Sequence, residues 1–131
     1  MTGASPKGTK REDRRRLGRW GEAQVADWLR DRGWRIAAAG WQCRFGEIDL
    51  IAENEFYLVF VEVKLRKNAV FAPARAAVDG RKQERLRISA QLYLVDHPTE
   101  LQPRFDVAEV YAPQGAATVN PEICYFVDAF Q

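Results

Sequence analysis

The sequence contains very little histidine and cysteine, which limits the chemistry that it can support. Its one histidine is His97, in a predicted loop after the second helix, so a pair of histidine bases or a zinc finger with two histidines cannot form, and a Ser-His-Asp triad is disfavoured. The two cysteines, Cys43 and Cys124, show no C-x-x-C spacing, which argues against a zinc site or a disulfide framework. Any hydrolytic chemistry must therefore depend on carboxylates, lysine and a metal ion.

The sequence also lacks a long apolar run. No stretch approaches the roughly 18 residues that a membrane-spanning helix requires, and no signal-peptide core follows the N-terminus. Hydrophobic residues make up 47% of the 131 residues, which suits one domain with a single core. We therefore expect a soluble, cytoplasmic protein that makes no membrane contact.

The sequence does contain an apolar run that ends in charged residues. Read as a strand from Tyr57 to Arg66, the residues alternate between a wholly apolar face and a face that becomes charged at Glu62, Lys64 and Arg66. Two interpretations stay open at this point. The charges are solvated or paired where the strand leaves the core, or they belong to a functional site.

A second strand supplies another carboxylate. In GEIDLIA, residues 46–52, Glu47 and Asp49 share a face, and the polar ENEF that follows is short enough for a hairpin. Antiparallel pairing would bring Asp49 close to Glu62 and Lys64. Two adjacent carboxylates require a shared proton, a cation or a metal, and Mg²⁺ commonly takes one or two carboxylates with water and phosphate. Lys64 would then orient a water or stabilise developing charge.

A helix predicted from about Arg15 to Arg32 carries a third carboxylate. Apolar and small residues recur at helical spacing, and Glu22 lies at the border of their stripe. It either leans toward the sheet or remains a solvated helix residue.

Positive charge is concentrated in two regions. Residues 1–16 carry six basic and two acidic residues, a net +4, in a tail expected to lack order; such a tail binds nucleic acid or aids solubility. Residues 64–87 carry eight basic and two acidic residues, a net +6. A second helix is predicted there from about Ala74 to Val95, with an apolar face that includes Val95. Its basic side chains form a phosphate track leading to the candidate site or are surface charge alone, and the track is favoured. They are Arg81, Lys82, Arg85 and Arg87.

The C-terminal part contributes further strands. Arg104 to Ala112 alternates as a strand, and ICYFVDAF predicts a final strand or a short hydrophobic tail. No internal repeat or second domain is evident, so we expect a tail over residues 1–16 and one domain over residues 17–131.

Four blocks of the sequence together resemble a known family. GRWGEAQVADWL, GEIDLIA, FVEVKLR and AVDGRKQERLRISAQLYL are similar, in order and spacing, to the bacterial YraN (UPF0102) family, over roughly Leu17 to Val110. That family is grouped with the PD-(D/E)XK nucleases and is similar to archaeal Holliday-junction resolvases. The sequence departs from the family pattern at Gly40, where a side chain such as Asn is expected before the first strand.

The resemblance implies a fold and a site. The fold is α/β and restriction-endonuclease-like, with three layers and a central mixed sheet that has one helix before it and one after the third strand. The superfamily's acidic helix residue falls on Glu22, its metal-binding Asp on Asp49, and its (D/E)-x-K on Glu62 and Lys64. The carbonyl of Val63 is implied as a further metal ligand, and Lys82 and Arg85 as the nearest members of the phosphate track. Arg66 and Arg81 are further expected nucleic-acid contacts.

The function expected from these features is a Mg²⁺-dependent endonuclease that cuts DNA, with Mn²⁺ as a substitute ion. Branched DNA is one expected substrate, and cutting a junction symmetrically would require a homodimer. A rival from another class is a non-catalytic nucleic-acid-binding module that keeps the nuclease fold. A third hypothesis is a structural or adaptor protein with a solvated charge cluster.

Overall fold

The computed structural model describes residues 9–68 and 78–131. Within these ranges two α-helices lie on opposite faces of a five-stranded sheet, so the chain forms three layers. The elements are α1 (Lys10–Asp31), β1 (Arg35–Cys43), β2 (Gly46–Glu53), β3 (Tyr57–Arg66), α2 (Gly80–Asp96), β4 (Gln102–Tyr111), a 3₁₀ turn (Gly115–Ala117) and β5 (Glu122–Phe130). The predicted three-layer α/β architecture is confirmed, as is the helix after the third strand.

The sheet is mixed, as predicted, and its spatial order follows the chain. The strands lie in the order β1-β2-β3-β4-β5. All neighbouring pairs are antiparallel except β3 and β4, which are parallel. A parallel pair needs a long crossover, and α2 lies within it.

Helix α1 begins at Lys10, earlier than the predicted Arg15. The Thr9 side chain caps it by accepting a hydrogen bond of 3.0 Å from the Glu12 amide, and Glu12 and Asp13 place negative charge in the first turn. Both effects stabilise a helix N-terminus that contains few apolar residues. The prediction of an unstructured tail over residues 1–16 is therefore wrong for residues 10–16, while residues 1–8 lie outside the described ranges.

Helix α2 is shorter than predicted. It begins at Gly80, after Asp79 as the N-cap residue, and not at Ala74, which lies outside the described residues. The prediction that Val95 faces inward is wrong, because its side chain is 75% exposed. Val95 follows the buried Tyr93 by two positions, which carries it around the helix toward solvent.

Alternation along β3 divides the core as predicted. One face of the sheet packs against α1 and the other against α2. The α1 cluster consists of Val25, Ala26, Leu29, Leu50, Ala52, Val59, Val61, Ala108 and Val110. The α2 cluster consists of Ile48, Ile51, Leu58, Phe60, Val78, Leu86, Ala90, Tyr93, Val107 and Phe130. None of the helices in the described ranges is long and apolar enough to cross a membrane.

Candidate active site

The sheet divides where the charged residues begin. Pairing between β2 and β3 runs from the hairpin as far as Leu50 opposite Val61. Beyond that pair, β2 continues beside β1 as far as Gly46, and β3 continues beside β4 as far as Arg66. The two strands therefore diverge and open a cleft in the sheet, which we call the fork.

Asp49 and Glu62 lie at the fork. The Asp49 Oδ2 atom accepts a hydrogen bond of 2.9 Å from the Val63 amide, which holds the carboxyl group of β2 against β3. Burial, together with the nearby Glu62 carboxylate, raises the pKa of Asp49 to about 9, against the opposing effect of the Val63 amide. Both carboxylates line a cleft of about 260 Å³ between β2, β3 and α2. The structure thus brings these two predicted residues together.

Two lysines accompany Glu62. The Nζ atom of Lys82, on α2, lies 2.8 Å from Glu62 Oε2, and Glu62 is only 6% exposed. Burial acts against the charged form of Lys82, but the hydrogen bond and charge of Glu62 outweigh it and raise its pKa. Burial and the adjacent Lys82 lower the pKa of Lys64, although Glu62 attracts its charge. Lys64 therefore belongs to the same electrostatic cluster, as predicted from the E-x-K spacing.

Glu22 reaches the cluster from α1. Burial, then the charges of Glu47 and Glu62, raise its pKa to about 7, against the opposing charge of Arg19. Glu22 lines a different groove from Asp49, on the α1 side, and Glu47 lines both. Glu22 is consequently a neighbour of the fork and does not lie inside the cleft.

Gly40 makes room for these carboxylates. It lies within β1, so its predicted position before the first strand is wrong. Its φ of +63° is one that glycine adopts readily, and a Cβ there would lie 3.0 Å from Glu47 Oε1 and 4.0 Å from Glu22 Oε1. The absent side chain keeps the approach to Glu22 and Glu47 open.

The predicted nucleic-acid contacts divide into two groups. Arg81 and Arg85 are exposed on α2, and Arg85 lines the cleft beside Lys82. The Arg66 Nε atom instead donates a hydrogen bond of 2.7 Å to the buried Glu109. Arg66 thus joins β3 to β4, and its guanidinium group does not face outward as the arginines of α2 do.

Features of the fork suit a hard divalent cation. Within residues 9–68 and 78–131 no three His, Cys, Asp or Glu side chains are placed to hold a metal by themselves. Mg²⁺ is commonly held by fewer carboxylates, with water and phosphate completing its shell. Glu62 is buried beside Asp49, and burial, then the Glu62 carboxylate, raises the pKa of Asp49. Both observations fit a cation held by Asp49 and Glu62.

Two features of the site were not predicted. Glu47 was not assigned to it, and the simple strand alternation predicted for β2 is wrong here, because Ile48 packs in the α2 cluster and Leu50 in the α1 cluster. Lys82 was predicted to bind phosphate, whereas its ammonium group lies against Glu62. The ion pair depends on how α2 packs over the sheet, and no local pattern reports that.

Comparisons with known proteins identify the family. The model of the family described as Uncharacterised protein family UPF0102 matches residues 21–110. A UPF0102 protein of Synechococcus sp. is 40% identical over 126 residues, covering 93% of this chain and 96% of that protein. One from Syntrophomonas wolfei is 36% identical over 117 residues, covering 88% and 98%, and one from Parafrankia sp. is 44% identical over 107 residues, covering 80% and 91%. The chain therefore belongs to the UPF0102 family, as its four sequence blocks predicted.

Proposed function

We propose that this protein is a Mg²⁺-dependent endonuclease of the PD-(D/E)XK superfamily that hydrolyses phosphodiester bonds of DNA. The observation that carries the proposal is the meeting of Asp49 and Glu62 at the fork, with Lys64 beside them. A strand pair that opens to present two carboxylates and a lysine offers a cation site next to a positive group. Both can stabilise the negative charge that develops during phosphodiester hydrolysis.

Each side chain has a role in this proposal. Asp49 and Glu62 would hold Mg²⁺, with the Val63 carbonyl as a further ligand. When bound, the ion polarises a phosphoryl oxygen and stabilises the negative charge of the transition state. Lys64, whose pKa is lowered, would orient the attacking water or stabilise the same charge. Glu22 would support the ion from the α1 side, since its charge acts on Asp49.

The rival binding module also has an observation in its favour. The ammonium group of Lys82 already compensates the charge of Glu62, so the cluster can persist as an internal ion pair without catalysis. Arg81 and Arg85, on α2, would then contribute to DNA affinity and not to catalysis. A protein that binds DNA and never cleaves it is what this alternative predicts.

The test is cleavage of linear, branched and single-stranded DNA in Mg²⁺ and in Mn²⁺, with Asp49→Asn and Glu62→Gln purified in parallel. We expect the parent to cut at least one substrate and both variants to lose metal binding and cleavage together. Lys64→Ala should retain much of the metal affinity and lose the chemical step. Cleavage at the parental rate by Asp49→Asn would indicate another site or a contaminant, and would refute the assignment.

The same panel addresses the substrate and the assembly. Preferential cutting of a four-way junction, with paired symmetric incisions, would favour a homodimer, because one active site serves one strand. Sedimentation of the parent with and without the junction measures that assembly directly.

A further inference from the structure

A groove on the α1 side of the sheet lies outside the cleft at the fork. It has a volume of about 1030 Å³ and runs between α1 and β1. The residues that α1 contributes recur every three or four positions, so they form one face of the helix. Arg14, Arg15 and Arg19 belong to this face. All three precede residues 21–110, which match the family model.

No ion pair neutralises the charges of these three arginines, although the charge of Arg19 acts on Glu22. All three are exposed, and none forms an ion pair or hydrogen bond with any residue in the described ranges. Arg16, outside the groove on the same helix, is by contrast paired with Asp13 at 3.1 Å. One wall of the groove therefore offers a row of free guanidinium groups, which suit repeated anionic groups such as phosphates.

The groove is open beside Gly18. Gly18 lies between the arginines, and a Cβ added there would meet nothing within 4 Å. From Arg14 to Glu22 the helix advances about 12 Å, at roughly 1.5 Å per residue. A linear chain can therefore lie along the arginine wall and reach Glu22.

The groove leads to the proposed catalytic cleft. Glu22 lies midway along the stretch of α1 that lines the groove, from Arg14 to Arg30, and Gly40 and Glu47 also line it. Glu47 in addition lines the cleft that holds Asp49 and Glu62. An anionic polymer lying in the groove would be held by the arginines in the first turns of α1 and would then pass the carboxylates that also line it, Glu22, Asp27 and Glu47. Glu22 and Glu47 are neighbours of the fork, so the arginines precede the carboxylates beside the proposed cation site.

We infer that the groove between α1 and β1 binds the phosphodiester backbone of DNA on the side of the sheet opposite to α2. The inference rests on the proposed nuclease function and deepens it, because it names a second contact surface for the same substrate. DNA held by both α1 and α2 would pass across the fork between them.

The experiment compares two triple variants of α1. The wall variant, Arg14→Ala/Arg15→Ala/Arg19→Ala, lacks the three guanidinium groups that line the groove. The control variant, Lys10→Ala/Arg11→Ala/Arg16→Ala, loses the same number of positive charges from residues of the helix outside the groove. Binding to fluorescently labelled single-stranded and duplex DNA is measured by anisotropy in EDTA over a salt series, after circular dichroism has shown that both variants are folded. We expect the wall variant to bind roughly tenfold more weakly at low salt, with the slope of log K against log salt reduced by about 0.7 to 0.9 per lost phosphate contact. The control should retain a slope near the parental value.

Several outcomes overturn the inference. Equal losses of DNA affinity in both variants would show that only the net charge of the helix matters. Unchanged DNA affinity in the wall variant would show that the groove does not contact DNA. Parental binding to polyglutamate as tight as to DNA would favour an acidic protein partner.

Cleavage assays separate failure of this inference from failure of the proposed function. If the parent cuts no DNA in Mg²⁺ or Mn²⁺ while the wall variant alone loses binding, the groove stands and the nuclease proposal falls. If the parent cuts DNA and the wall variant binds like the control, the nuclease proposal stands and the groove inference falls.

Discussion

At the scale of single residues, Glu62 lies at the centre of the charge cluster. It is nearly buried, and Lys82 approaches its Oε2 atom to 2.8 Å while Asp49 and Lys64 contribute further charge. A buried ionised carboxylate is costly unless a positive partner or hydrogen bonds compensate its charge. In the proposed nuclease, Lys82 and Mg²⁺ would therefore compete for the same oxygen.

This competition gives a prediction for Lys82→Met. Removing the ammonium group while keeping an unbranched side chain should tighten Mg²⁺ binding by roughly tenfold, equivalent to about 1.4 kcal/mol. Isothermal titration with Mg²⁺ and Mn²⁺ measures the change. Arg81→Met, which removes an exposed positive charge from the same helix, is the matched control and should leave the affinity near that of the parent. Equal or weaker metal binding in Lys82→Met would contradict the competition.

The predictability of the site differs from residue to residue. Asp49, Glu62 and Lys64 could be assigned to one cluster because strand alternation and a short hairpin fix their faces and their proximity. The partner of Arg66 could not, since Glu109 lies on β4 and meets Arg66 only through the parallel pairing of β3 with β4. Contacts made by local geometry were predictable, and contacts made by packing of distant elements were not.

At the scale of elements, a buried carboxylate joins β4 to β5. Asp106 is fully buried and accepts four hydrogen bonds. Two come from Arg104, at 3.0 Å from Nε and at 2.9 Å from a terminal guanidinium nitrogen. The others come from Tyr125 Oη at 2.6 Å and from the Asp128 amide at 2.9 Å. Burial, then the Asp106 charge, raise the pKa of Tyr125, so the phenol remains a donor. These contacts lie where the register of β4 and β5 shifts between Phe105 and Val107.

Asp106→Ala should accordingly destabilise the protein. It leaves Arg104, whose side chain is 14% exposed, without its partner, and breaking such a buried pair costs about 3 to 5 kcal/mol. Asp27→Ala is the control, because its pair with Arg30 is exposed and worth at most about 1 kcal/mol. Urea denaturation followed by circular dichroism measures both. Similar losses in the two variants would show that Asp106 has no special structural role.

Element boundaries were harder to predict than element types. The alternation of β3 was sufficient to assign both of its faces, but the start of α1 was placed too late because apolar periodicity begins after its capped first turns. The residues of β1 received no separate prediction, and Gly40, with its positive φ, interrupts any simple strand pattern there. A side-chain cap or a glycine determines such features, and neither changes the hydrophobic period.

At the scale of the whole molecule, the carboxyl cluster links folding to pH. An acid whose pKa is higher in the folded state than in the unfolded chain makes the fold less stable as pH rises between the two values. For Asp49 that window extends from about 4 to about 9, and for Glu22 from about 4 to about 7. Each group lowers the free energy of unfolding by at most about 1.4 kcal/mol per pH unit.

Without divalent metal, the protein should therefore be less stable at pH 8 than at pH 5. Asp49→Asn cannot titrate, so its stability should fall less over the same interval. Urea titrations in EDTA at the two pH values measure both differences, and Glu55→Gln, at an exposed turn, is the control that should behave like the parent. The same pH dependence in Asp49→Asn and the parent would mean that the Asp49 carboxyl is not the titrating group.

The order of the strands has a consequence for the speed and route of folding. Each strand lies beside the next one in the chain, and β1, β2 and β3 are joined through residues 44–45 and 54–56 only. Pairing β3 with β4 must instead close the chain over residues 67–101, with a correspondingly larger loss of entropy.

A nucleus made of the first three strands and α1 should consequently form before β4 joins. Leu50→Ala, in β2, should mainly slow refolding, whereas Val107→Ala, in β4, should mainly accelerate unfolding, although both side chains are fully buried. Stopped-flow chevrons of the two variants test this order. If β4 docks after this nucleus has formed, the carboxylates of the fork come together before the strand that supports β3 on its other edge is in place.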